Sequence, residues 1–442
     1  MLLNFSFKNF RSFAETQQFS MQRVYSEYSC DLWGQPMVSS VAAVYGPNAS
    51  GKTCFLEALE FVSQFARISL REGDALRPVP VEPFLLDSMS SERPSEFLIE
   101  FVARDGYRYV FSFGVTGKEV VYEELVVYYS SQPTKLYTRS SDDGKQTIKF
   151  AAALKGPKKQ VWSITRANSL FISAAALSGL KALNDAYVGL VYGIELYDAA
   201  DYPGELFNIK MMAKDGDSTI DELSELVRYA DIGVLAIDVR RASESGENAE
   251  AIERGLKIAE RAKELGDSEA SDLKWFMGTD VYFLHQGVDE AVWLSSSHES
   301  DGTIAALSFF SLALHALKDG TTILVDEMER SLHPVLLKEF VKLFSDPRTN
   351  PKQAQLIFTT HDTALIGASS PDERVLQRDQ VWLCDKGKDG KSSLFPVTDY
   401  SPKRRENLGR NYLNGIYHAL PSPHFHERFV ELISSSNQND NE

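Results

Sequence analysis

Gly46-Pro47-Asn48-Ala49-Ser50-Gly51-Lys52-Thr53 carries the spacing GxxxxGK[ST] in full. That spacing is suited to holding phosphate. Gly46 and Gly51 let the backbone bend tightly, and the amides of Asn48, Ala49, Ser50, Gly51, Lys52 and Thr53 can point inward with a helix dipole behind them. Lys52 then reaches the β- and γ-phosphates of a nucleoside triphosphate, and the Thr53 hydroxyl is a ligand for Mg²⁺. Cys54 reads as a small buried apolar residue rather than a nucleophile.

A second group lies far downstream. Thr322-Ile323-Leu324-Val325-Asp326-Glu327 is a buried strand ending in two carboxylates. Burying adjacent charges is costly unless something uses them. Asp326 would hold Mg²⁺ through water, and Glu327 would polarise the water that attacks the γ-phosphorus. A bland solvated pair at a strand end is the competing reading. His361 follows the strand Gln355–Phe358 through Thr359-Thr360 and is placed to touch the γ-phosphate, the alternative being a structural histidine. Lys52, Glu327 and His361 are the expected catalytic groups; Thr53 and Asp326 are the expected metal ligands.

These residues need a particular scaffold. Val41–Tyr45 is a short apolar strand ahead of the loop, and the helix after it runs from Lys52 to about Ile68. Phe97–Val102, Tyr107–Phe113 and Val120–Tyr129 are rich in β-branched and aromatic residues, with an Asp105-Gly106 hairpin turn between the first two. Thr219–Tyr229 has a helical pattern, with Ser218 and Thr219 as capping residues. Residues 249–265 repeat apolar positions at helical spacing, and their other face is charged. They read as a surface insert or as a partner-binding arm. Farther on, helices at Thr303–Leu317 and Val335–Phe344 alternate with strands at Thr322–Val325, Gln355–Phe358 and Val381–Leu383. Such alternation predicts an α/β fold with a mostly parallel core sheet. The expected division is an N-terminal lobe at 1–175 with an antiparallel β subdomain, a helical insert at 176–275, a second lobe at 276–420, and a C-terminal helix and polar tail at 421–442.

Together the motifs resemble the ABC-type ATPases of the SMC-like and overcoming-lysogenization-defect branch. They are most similar to stand-alone AAA-family or AbiL-like ATPases of bacterial phage-defence operons. Phe7-Lys8-Asn9-Phe10-Arg11-Ser12-Phe13 matches the opening strand of that class. Thr322–Glu327 matches Walker B, Ser331-Leu332-His333-Pro334 the D-loop, and Thr359-Thr360-His361-Asp362 the switch-histidine region. Glu299-Ser300-Asp301-Gly302-Thr303 occupies the signature position, where Ser300 and Gly302 are the matching residues. The usual leucine, first glycine and glutamine are replaced there by Glu299, Asp301 and Thr303, so two carboxylates need a cation nearby.

The resemblance implies an ABC-type P-loop ATPase head that binds ATP with Mg²⁺ and hydrolyses it slowly. One Walker A and one signature per chain imply a head-to-tail homodimer, or a multiple of dimers, in which Ser300 and Gly302 close the site of the other copy. Asp362 is either a bridge at that seam or a helix N-cap. The implied role is a switch in antiphage defence that senses infection or controls a separate nuclease or toxin effector. The alternatives are a DNA-repair or recombination ATPase of the SMC-related or RecF kind, and a nucleotide-gated scaffold.

Composition narrows these readings. The chain has 442 residues, 46 Lys plus Arg against 62 Asp plus Glu, and a formal net charge of -16. Such a surface disfavours nucleic acid on average. Lys403, Arg404, Arg405 and Arg410 nonetheless form a local basic cluster, either a solvated loop or a surface for nucleic acid or a partner. Cys30, Cys54 and Cys384 make no disulfide framework or zinc spacing. No long apolar run or signal peptide is evident, so a cytoplasmic protein without a membrane partner is expected.

Overall fold

The computed structural model describes residues 1–25, 38–71, 74, 76–198, 202–214, 216, 218–230, 232–241, 275–330, 332–368, 370, 373–420, 425–430 and 432. Val41–Tyr45 (β3), Thr322–Asp326 (β13) and Gln355–Thr359 (β14) are buried along nearly their whole length. Continuous apolar runs of this kind suit a parallel sheet covered on both faces. They join Ile194–Asp198 (β9), Val381–Lys386 (β15) and Ser392–Pro396 (β16) in one six-stranded sheet, in the order β16-β15-β3-β14-β13-β9. Every pairing is parallel except that of β15 with β16.

A second sheet is antiparallel. It contains Leu2–Lys8 (β1), Gln17–Ser20 (β2), Ser95–Val102 (β4), Arg108–Val115 (β5), Val120–Tyr128 (β6), Thr134–Asp142 (β7) and Lys145–Phe150 (β8). Burial along β4 and β5 alternates, so one face of this sheet turns to the core. Helix α1 (Lys52–Ile68) fills the space between the sheets. Its buried Phe55 meets Phe5, Phe7 and Phe19, while Phe61 and Phe65 reach Phe97 and Phe113. Its other side packs against β9 and β13.

Gln355 stitches the two sheets together. Its Oε1 accepts from the Leu2 amide at 2.5 Å and from Thr322 Oγ1 at 3.0 Å. Its Nε2 donates to the carbonyls of Leu2 at 2.9 Å and Ser39 at 3.2 Å. A buried amide with both ends paired incurs little desolvation cost and fixes β1 against the strand that leads to His361.

The stretch 176–275 departs from a purely helical insert. It contains Asn184–Val191 (α4), Tyr202–Lys214 (α5) and Thr219–Tyr229 (α6), after Lys158–Ile164 (α2) and Phe171–Leu177 (α3). It also supplies β9, the edge strand of the core sheet, and Ala236–Arg241 (β10). β10 pairs with Thr279–Gln286 (β11), which pairs with Ala291–Ser295 (β12) in a three-stranded sheet. The physical reason is packing. Ile237, Val281 and Phe283 from this sheet bury against Leu223 and Val227 of α6 and against Leu307. Ser218 does precede α6, but its side chain makes no capping hydrogen bond. The segment 249–265 and the tail 434–442 lie outside the described residues. Among the described residues no helix is long and apolar enough to cross a membrane.

The antiparallel lobe also holds a buried charged pair. Glu123 on β6 and Arg139 on β7 both have fully buried side chains. Glu123 accepts from the amides of Phe171 at 2.7 Å and Ile172 at 3.1 Å, and from Tyr137 Oη at 2.8 Å. Arg139 donates to the carbonyls of Ser169, Arg166 and Ala167. Glu123→Ala strands the guanidinium and two amides, so a loss of about 3–5 kcal/mol in stability is expected. Denaturant unfolding of wild type and mutant measures it, and a loss under about 1 kcal/mol would contradict the account.

Candidate functional site

Parallel pairing places the C-terminal ends of β15, β3, β14 and β13 side by side. From β3 comes the loop 46–53, from β14 Thr360 and His361, and from β13 Asp326 and Glu327. A cleft of about 260 Å³ opens there. Asn48, Ala49, Gly51, Lys52 and Thr53 line it from the loop, with Asp326 and Glu327 opposite. Ser12, Cys54 and Lys386 complete the wall. Gly46, Pro47 and Ser50 shape the loop from outside that lining.

The glycines are there for space and for backbone angle. A Cβ on Gly46 would run into the Cys384 carbonyl. Gly51 has φ of +111°, and a Cβ there would crowd Ser392 Oγ and Ser12 Oγ. The Cys384 thiol donates to the Ser50 carbonyl at 3.2 Å, and burial pushes its pKa up to about 12, so it stays a neutral packing group. Cys54 is half-buried at the cleft rather than enclosed in the core, because α1 turns it toward the opening.

Lys52 Nζ donates to the carbonyls of Gly46 at 3.0 Å and Pro47 at 3.1 Å, and lies 3.2 Å from His361 Nε2. Burial lowers the lysine pKa from its ordinary value. Burial and then the Lys52 charge lower that of His361. An ammonium has no acceptor, so Nε2 accepts and the ring proton sits on Nδ1. The His361 amide donates to Glu329 Oε1 at 2.7 Å.

Thr53 Oγ1 donates to Asp326 Oδ2 at 2.6 Å. Thr359 Oγ1 donates to the other oxygen of Asp326 and accepts from the Glu327 amide at 2.8 Å. Asp326 is half-buried and Glu327 is exposed, which corrects the expectation of a buried pair. The strand ends at Asp326, and Glu327 turns out of it in a left-handed conformation, φ +48°. Such an angle is strained for a non-glycine residue. Glu329 belongs to no motif in the sequence, and Thr359 enters one only as the first residue of the run Thr359-Thr360-His361-Asp362.

The residues expected at the signature position stand elsewhere. Ser300 is the N-cap of α7 (Asp301–Asp319), and its Oγ accepts from the Thr303 amide at 3.1 Å. Neither Ser300 nor Gly302 is among the residues lining the cleft. Glu299 is nearly buried and meets His285 Nε2 of β11 at 2.6 Å. Asp362 caps a short turn, accepting from the Ala364 amide at 2.8 Å. His333 caps α8 (Pro334–Ser345), and Ser331 lies outside the described residues.

His361 is expected to remain neutral at pH 7, with its midpoint below 6.5. The folded chain then binds fewer protons at this ring than the unfolded chain. Its contribution to stability is therefore present above pH 6.5 and is lost as pH falls through the window below. Histidine-ring NMR titration reads the midpoint, and Lys52→Ala should move it upward. A wild-type midpoint at or above 6.5 would refute the assignment.

No protein of curated function matches the chain. Among solved structures, the recombination mediator protein RecF with ATPγS aligns over 89% of this chain and 98% of its own, at 14% identity and TM-score 0.36. CbiO1 from Clostridium perfringens, part of the ABC transporter complex cbiONQ, aligns over 98% and 100% at 11% identity and TM-score 0.27. Residues 41–367 match the family described as "AAA domain, putative AbiEii toxin, Type IV TA system". The match spans most of the chain and takes in the loop at 46–53, the carboxylates at 326 and 327, and His361. The chain belongs to this AAA-domain family.

Proposed function

We propose that the chain binds ATP in the cleft between the loop 46–53 and Asp326–Glu327 and hydrolyses it. The observation that carries this reading is the meeting of Lys52, Thr53, Asp326, Glu327 and His361 at one sheet edge, although they come from three different strand ends. Triphosphate oxygens would replace the two carbonyls that Lys52 now contacts, and loop amides would complete the cradle. Thr53 and Asp326 offer the oxygen donors that suit Mg²⁺, which when bound would neutralise phosphate charge. Glu327 faces the cleft with its backbone anchored by Thr359 and can take a proton from an attacking water. Neutral His361 can donate or accept beside the γ-phosphate.

The cleft has no contribution from Ser300 or Gly302, so the reading extends to a head-to-tail dimer in which those residues come from a second copy. The finer role is an ATP-driven switch that controls a separate effector in antiphage defence. The toxin–antitoxin description of the family supports it. A DNA-repair role is the second reading, favoured by Lys403, Arg404, Arg405 and Arg410, which are all exposed.

Glu327→Gln keeps the shape and removes the base. ATP binding should persist while turnover falls by about 10²–10⁴-fold, measured as phosphate release at saturating ATP. Wild-type turnover in the mutant would move the base elsewhere.

Mixed dimers test sharing. A Lys52→Ala subunit paired with a Ser300→Arg subunit leaves one intact composite site if sites are shared, and none if each chain closes its own. Tight ATP stoichiometry in isolated, correctly assembled mixed dimers separates the two. Loss of every tight site would refute sharing.

A further inference from the structure

The cleft has a wall that the hydrolysis reading does not use. Lys386 ends β15 and lines the cleft, and so does Ser12 from the turn after β1. In the sheet order β15 is the neighbour of β3 on the side away from β14 and β13. Lys386 therefore flanks the phosphate loop opposite the face that carries His361, Asp326 and Glu327.

Most cations near the loop are committed. Arg11 is paired with Glu57 and Glu82, and Lys391 with Glu15. Lys386 is exposed, and no ion pair or side-chain hydrogen bond to it occurs among the described residues. Two hydroxyls beside it are also unsatisfied. Ser12 Oγ and Ser392 Oγ are buried without a hydrogen-bond partner among the described residues. Both lie against Gly51, on the evidence of the Cβ that residue lacks. The Ser392 amide donates to the Ser12 carbonyl at 2.8 Å, which ties the start of β16 to the turn after β1. Buried hydroxyls without partners are uncommon in a settled fold, and an acceptor brought by a ligand would satisfy Ser12.

We infer that Lys386 and Ser12 form a subsite for the α-phosphate and ribose end of the nucleotide. This rests on the proposed binding of ATP in the same cleft. Lys52, Thr53 and Asp326 fix the β- and γ-phosphates on the β13–β14 side of the loop. The chain of phosphates would then leave the loop across its other flank, where Lys386 is a positive charge without an ion pair among the described residues. A lysine is a compact point charge with three donors and can follow a phosphate without demanding one geometry.

The test is calorimetry with Mg·ATP and Mg·ADP on wild type, Lys386→Gln, Lys386→Arg and Lys52→Ala. Both nucleotides carry the α-phosphate, so Lys386→Gln should weaken both by a similar factor, about 5–30-fold. Lys386→Arg, which keeps the charge, should recover part of the loss. Ser12→Ala should weaken both in the same direction. Equal thermal midpoints for Lys386→Gln and wild type show that the fold is intact. Unchanged affinity in Lys386→Gln overturns the subsite, and so does a loss confined to ATP, which would put Lys386 on the γ-phosphate. Failure of wild type to bind ATP, or unchanged affinity in Lys52→Ala, overturns the underlying reading instead.

Discussion

Parallel pairing around β3 is the constraint on which the rest depends. Parallel strands all end at the same edge, so residues separated by hundreds of positions emerge together. Thr53 and Asp326 meet at 2.6 Å because β3 and β13 flank β14 in register. Thr359, at the end of β14 between them, holds the Asp326 carboxylate and the Glu327 amide with one hydroxyl. Without that register the loop would still bend, but it would have no carboxylates opposite it. The site is thus a property of the sheet before it is a property of any motif.

The sheet depends in turn on what covers it. Helix α1 carries the phosphate loop at its N-terminus and the main aromatic packing along its length. Its burial between two sheets fixes the angle at which the loop meets the cleft. Gln355 reinforces the same geometry from the far end of β14, pairing with both Leu2 and Thr322. A single buried amide therefore holds three strands whose opposite ends include Asp326 and the approach to His361. The Glu123–Arg139 pair does the corresponding work in the antiparallel lobe, where it anchors the amides that begin α3.

Much of this was legible from residue types. The strands at 41–45 and 322–326, the helix from Lys52 and the helix at 219–229 stand where their patterns put them. These segments announce themselves by unbroken apolar runs or by strong helical spacing. What escaped was weaker locally and held by tertiary contact. β9 is a five-residue edge strand, IELYD, and its polar alternation says nothing until β13 is beside it. β7 and β8 join at Asp143-Gly144, both with positive φ, where the Asp-Gly pair suits a tight hairpin turn. Lys386 had no motif around it and became visible only through the strand order.

The start of α7 shows how a local cost can be balanced at a distance. Glu299 and Asp301 set two carboxylates close together there. Asp301 lies in the first turn of α7, where the helix dipole favours a carboxylate. Glu299 has no such help and is nearly buried, yet His285 reaches it at 2.6 Å. That histidine belongs to β11, whose Val281 and Phe283 pack under α6 and against Leu307 of α7. The hydrogen-bond partner of Glu299 is thus supplied by the small sheet, which is itself seated on the helix that Ser300 caps. The Glu299–His285 contact is part of how this small sheet is joined to the rest of the chain. The start of α7 is consequently positioned by the insert region as well as by the core sheet.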